Sequence, residues 1–185
     1  DEQQLPSLTG AAVVKRTTEM KRNSWQEYQK EVADDRYYYL RSCIRQNFFP
    51  GSEKAFVRIL RQELGRDLFD DPVHTSCTGI GYHSDIVPLE TIMTVVARQF
   101  ALASEAGYEN LAVSCITSFG IYTEILETWQ EFPELEAKVR EHLFRATGRE
   151  FRKPKNVSHA SDIIFHHREA IAARARHRLV NVLTG

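Results

Sequence analysis

Three cysteines, Cys43, Cys77 and Cys115, are the residues of this 185-residue chain best suited to chemistry. A thiolate attacks disulfides and binds soft metals at neutral pH, and few other side chains do either. Their number is odd and their spacing wide, 34 and 38 positions. That does not fit a secreted disulfide framework, which uses more cysteines in even number. Reduced thiols in a cytoplasmic setting fit better. A single cysteine is often only a small buried apolar residue. Three at equivalent places in successive structural units point instead to one shared site.

The elements that must position them follow from apolar periodicity. Residues 1–36 form an N-terminal arm and short helix: the arm carries Pro6, Gly10 and a basic cluster, and Ser24 with Glu27 gives a capping box for a helix over 25–33. The run Tyr37-Tyr38-Tyr39-Leu40 predicts a buried strand leading to Cys43. Phe56, Ile59, Leu60 and Leu64 predict a helix over 51–65, closed by Gly65. Asp70, Asp71 and Pro72 read as a turn, Val73 to Ser76 as a brief strand ending at Cys77, and Gly79 to Gly81 as a loop.

Pro88 then opens a long helix whose inner face is Leu89, Ile92, Met93, Val96, Phe100 and Ala103. A third strand, 111–114, ends at Cys115, and a helix with Ile121, Tyr122, Ile125, Leu126 and Trp129 on one side follows. Pro133 starts another helix, which Gly148 stops; a fourth strand is expected near Val157 and a last helix over 160–178. Strands alternating with amphipathic helices predict an α/β domain over 37–185 with a short, mainly parallel sheet flanked by helices. Each cysteine falls between a strand and the following helix. In open α/β sheets that carboxyl edge is where ligands and chemistry gather, so the three can meet in one crevice.

Composition narrows the function classes. The net charge of −1 argues against a nucleic-acid-binding domain, which is usually basic. No apolar run is long enough to span a bilayer and no secretory signal pattern is present, which predicts a cytoplasmic protein. Gly79-x-Gly81 lacks the third glycine of a dinucleotide fingerprint. Its use is closer to letting backbone approach a cofactor or partner. His166 and His167 are adjacent on a predicted helix and do not share a metal. The arginines 168, 174, 176 and 178 read as a solvated or partner-facing surface. Zinc is disfavoured because no Cys-x-x-Cys half-site occurs.

The segment 37–168 resembles the N-terminal half of the B-subunit family of heterodisulfide reductases, the CCG-domain family. The first element of the family pattern is Cys43 followed by Asn47-Phe48-Phe49-Pro50-Gly51-Ser52-Glu53-Lys54-Ala55. The second, normally Cys-Cys-Gly, stands here as Ser76-Cys77-Thr78-Gly79, and the third, normally Cys-x-x-Cys, as Cys115-Ile116-Thr117-Ser118. Ala97 to Ala103 before Ala106-Gly107 is also similar. Thr78 and Ser118 thus replace two of the family's five thiols. Full members carry a second copy of the motif, so the resemblance implies one half of a longer protein or a single-domain subunit.

What the resemblance implies is an iron–sulfur cluster at which disulfide chemistry occurs, with Cys43, Cys77 and Cys115 as catalytic and metal-binding residues. Gly79, Gly81 and Ser118 would shape the cofactor site. A fourth ligand would come from His74, His83, Asp85, Ser118 or a substrate. Implied partners are iron–sulfur carrier and flavin subunits of a heterodisulfide reductase-like complex. Two other readings stay open: cluster-free thiol chemistry, and a non-catalytic scaffold subunit in which Thr78 and Ser118 merely cap helices.

Overall fold

The computed structural model describes residues 32, 35–73 and 79–174. The aromatic run forms β1 (Arg36–Leu40), the first strand of a four-stranded sheet whose pairs are all parallel. After it come α1 (Cys43–Phe48), α2 (Pro50–Arg58), a π-helical turn (Ile59–Glu63) and β2 (Asp67–Asp70). Then follow α3 (Gly79–His83), α4 (Leu89–Glu105), β3 (Asn110–Val113), α5 (Ile116–Glu131) and α6 (Pro133–Thr147). The described chain closes with β4 (Asn156–His159), α7 (Ala160–His166) and α8 (Arg168–Arg174). Among the described residues no helix is long and apolar enough to cross a membrane.

Strand order is β2-β1-β3-β4. Side chains alternate across the sheet with period two, so the four consecutive apolar residues of β1 serve two cores. Tyr38 and Leu40 join Leu111 and Val113 against α4, α5 and α6, where Phe100, Tyr122 and Trp129 meet edge to face. Tyr37 and Tyr39 join Leu68 and Ala112 against Phe56 and Leu60 on one side and Ala160 and Ile163 of α7 on the other. A parallel strand buried on both faces needs such a continuous run. The expected α/β architecture with a parallel sheet flanked by helices is the one observed.

Three local expectations are corrected. A strand forms at Asp67–Asp70, where none was expected, and its acids are paired rather than solvated; of the strand expected over 73–76 only Val73 is described, and it lies in a turn. Arg36 Nε bonds Asp67 at 3.0 Å, Arg41 makes two 2.5 Å bonds to Asp70, and the Tyr38 hydroxyl donates to Asp71 at 2.6 Å. Gly79 and Gly81 lie within α3, not in a loop, and there they permit close packing. A Cβ on Gly79 would stand 2.8 Å from Thr117 Cγ2, and one on Gly81 3.0 Å from Ile92 Cδ1. The last predicted helix breaks at His167 into α7 and α8, its final residues beyond 174 lying outside the described set. The predicted arm and, apart from residue 32, the 25–33 helix also lie outside it, as do the strand residues 74–76.

One buried polar group ties these layers together beneath the carboxyl edge. Glu53 of α2, 7 % exposed, accepts the Tyr39 hydroxyl and the Ser114 hydroxyl, the latter at 2.8 Å. Burial and the Glu53 carboxylate hold the Tyr39 hydroxyl far above the usual tyrosine range, so it stays a donor. Glu53→Ala should lower unfolding free energy by about 2–5 kcal/mol, since two buried hydroxyls lose their acceptor. Arg145→Ala, which breaks only an exposed pair with Glu141, should change it by less than about 1 kcal/mol. Urea midpoints for the two variants test this; similar midpoints would contradict it.

Candidate functional site at the carboxyl edge of the sheet

The crossovers leave β1 in opposite directions along the sheet. The chain passes from β1 to β2 on one side, then returns to place β3 on the other. The gap between the carboxyl ends of β1 and β3 is therefore the topological switch point, where open α/β sheets bind ligands. Register carries the two strands to this edge together. Leu40 pairs with Val113, and the Ser114 N–H donates to the Leu40 carbonyl at 3.1 Å.

Two residues beyond each strand, the backbone turns into a helix. Ser42 caps α1 in an extended conformation, its Oγ accepting the Arg45 N–H at 3.3 Å. Cys115 occupies the equivalent cap of α5, also extended, with φ −106° and ψ 120°. Cys43, the first residue of α1, is exposed; Cys115 is partly buried. Cys43 and Cys115 thus flank the switch point as expected, although Cys43 begins a helix instead of sitting in a loop. Cys77, with His74 and Thr78, lies outside the described residues.

The surroundings of Cys115 favour its thiolate. Burial pushes the thiol up, but the N–H and hydroxyl of Ser118, the N–H of Thr117 and the hydroxyl of Ser42 pull it down, and the net shift is downward. Neither N–H makes a formed capping hydrogen bond to the side chain. Their influence is that of donors at a helix start facing a developing negative charge. Ser118 therefore acts on Cys115 directly. Gly79 reaches the same place from α3, its close packing on Thr117 pressing that helix against the first turn of α5.

The other predicted candidates are more dispersed. His83 and Asp85 are exposed; His83 shares a shallow groove of about 490 Å³ with Ile116 and Thr117 on the flank of α5. Gly81 packs on Val87 and Ile92, away from Thr117. Among the described residues no group of three His, Cys, Asp or Glu side chains converges to hold a metal ion. The described donors alone do not make a cluster site.

Sequence reasoning misses the polar residues around the thiols. His159, at the end of β4 and 8 % exposed, pairs in register with Val113. Its Nδ1 accepts the Ser161 N–H at 3.3 Å, which leaves the proton on Nε2. Burial lowers its pKa, Asp162 opposes that, Arg45 adds to the lowering, and the Ser114 backbone pulls back upward. The imidazole is neutral at neutral pH, and the Phe119 ring lies 5.9 Å away. One signal is present in the residues: each cysteine follows a serine, at Ser42-Cys43, Ser76-Cys77 and Ser114-Cys115. Ser42 and Ser114 are the two buried hydroxyls that organise the edge.

No protein-family model matches the chain. Over 143 residues it is 27% identical to the B-subunit of ferredoxin:CoB-CoM heterodisulfide reductase from Methanosarcina acetivorans, a match covering 73% of this chain and 45% of that protein. The chain is distantly related to that protein. It spans about half of the relative's length. The crystal structure of a hypothetical protein from Helicobacter pylori shares the fold, with a TM-score of 0.52 at 17% identity, covering 80% of this chain and 31% of that one.

Alkylation at each cysteine, followed by peptide mass spectrometry across pH, tests the electrostatics. Cys115 should keep reacting below the ordinary thiol pKa of about 8.5. Ser118→Ala should move its midpoint upward, since the substitution removes the hydroxyl that helps lower it while the backbone N–H stays in place. A Cys115 midpoint at the ordinary value in the unaltered protein would contradict the assignment.

Proposed function

We propose that the chain is a redox subunit, or the first half of one, in a heterodisulfide reductase-like complex, handling thiol/disulfide or sulfur-compound chemistry at Cys43, Cys77 and Cys115. The observation that carries this reading is the placement of Cys43 and Cys115 at the helix starts that follow the paired strands β1 and β3, with donors at the second of these favouring the Cys115 thiolate. The distant relationship to a heterodisulfide reductase subunit supports it.

The chemistry is that of thiol–disulfide exchange. The Cys115 thiolate attacks one sulfur of a disulfide, forming a mixed disulfide and expelling the other half as a thiolate that takes up a proton. A second cysteine thiolate, Cys43 or Cys77, attacks the mixed disulfide at the Cys115 sulfur. It releases the remaining half as a thiol and leaves a protein disulfide. Two electrons and two protons restore the dithiol, the electrons coming from an iron–sulfur carrier subunit or a flavin subunit. If an iron–sulfur cluster is bound, Cys43, Cys77 and Cys115 are its thiolate ligands, and it supplies one-electron storage beside the same thiols. Ser118 and Gly79 then shape the edge on which it sits.

A second reading, a non-catalytic assembly subunit, is favoured by the apolar surface of α1 and its end. Ile44, Phe48 and Phe49 are 56 %, 74 % and 63 % exposed there. Cysteine replacement separates the two. In anaerobically purified complex, Cys43→Ser and Cys115→Ser should abolish disulfide turnover, together with any iron and acid-labile sulfide, while the subunits still assemble. Unchanged turnover, iron and sulfide in both variants would sink the redox reading and leave the assembly role.

A further inference from the structure

A second feature lies on the α2 side of the sheet and is not used by the thiols. It is an open cleft of about 550 Å³ whose lining includes Arg41, Lys54, Arg58 and Arg61, against the two carboxylates Glu53 and Asp70. Both carboxylates are already engaged, Glu53 by two hydroxyls and Asp70 by Arg41. Lys54, Arg58 and Arg61 recur at positions i, i+4 and i+7, so one helical face carries three cations toward the cleft.

The backbone is shaped for this. The helix widens into a π-turn at Ile59–Glu63, marked by the Leu64 N–H bonding the Ile59 carbonyl at 3.0 Å. Such turns are uncommon and recur at functional sites. Here the widened turn accompanies the reach of Arg61, whose Nε donates to the Leu68 carbonyl of the edge strand β2 at 2.7 Å. That bond closes one wall and spends one of the five guanidinium N–H donors. Arg58 has only a loose pair, 3.7 Å from Glu63. The volume suits a small organic molecule, and the unspent donors suit oxyanions, which guanidinium groups bind in forked geometry.

We infer that this cleft binds a small polyanion bearing phosphate or carboxylate groups, held by Lys54, Arg58 and Arg61 above the Glu53 floor. The three binding cations, Lys54, Arg58 and Arg61, stand on the helix after α1 and the turn that follows it, not among the groups that act on Cys115.

Inorganic pyrophosphate is the probe, titrated calorimetrically into the purified full chain at low salt. Saturable one-site binding is expected, weakened roughly tenfold or more in Lys54→Ala/Arg58→Ala, as loss of charge-assisted hydrogen bonds implies. Arg145→Ala, remote from the cleft, should bind like the unaltered protein, and so should Cys115→Ser. Citrate titrated in parallel separates phosphate from carboxylate preference. Absence of saturable binding by either anion would overturn the proposal, as would equal weakening in Arg145→Ala. Normal binding in Cys115→Ser alongside failed disulfide turnover in that variant keeps the two proposals separable.

Discussion

The parallel pairing of β1 with β3 is the constraint on which the rest depends. Leu40 opposite Val113 fixes which residues arrive together at the carboxyl edge. A slip of one residue would send every side chain to the other face, and Tyr38 and Tyr39 would exchange cores. The register is held from both sides: by apolar packing of alternate residues into two cores, and by the Ser114 N–H bond to the Leu40 carbonyl. Given that pairing, Ser42 reaches Cys115, and the capping positions after β1 and β3 flank one gap.

Electrostatics at the edge follow from that placement. Cys115 is partly withdrawn from water, which alone disfavours a thiolate, yet donors at the start of α5 and the Ser42 hydroxyl outweigh the burial. His159, buried and neutral, and Glu53, buried between two hydroxyls, supply fixed polarity. Glu53 links β1, β3 and α2 through the Tyr39 and Ser114 hydroxyls, and His159 closes the end of β4 on Ser161. A site built on strand ends and satisfied buried groups is positioned more firmly than one built on loops.

Much of this is legible in the residues. The Tyr37–Leu40 run, Pro133 with Gly148, and the period of α4 and α5 announce their elements because local chemistry and tertiary burial agree. The strand at Asp67–Asp70 is hidden because Asp70 and Asp71 read as turn formers until Arg41 and Tyr38 are seen across from them. The glycines of α3 read as a loop because their role, contact with Thr117 and Ile92, is tertiary. Positions of Cys43 and Cys115 can be inferred from topology alone. The roles of Ser42, Ser114, Glu53 and His159 cannot, since each depends on a partner distant in sequence.

The central claim is that cysteines from separate strand–helix junctions share one site. The most direct measurement uses a bifunctional bimane that fluoresces only when two thiols displace both of its bromides, applied to Cys77→Ser protein. Cys43 and Cys115 should then be bridged within one chain, with the fluorescence lost in a further Cys115→Ser change. Two separate single-thiol adducts, with no intramolecular bridge, would contradict the account.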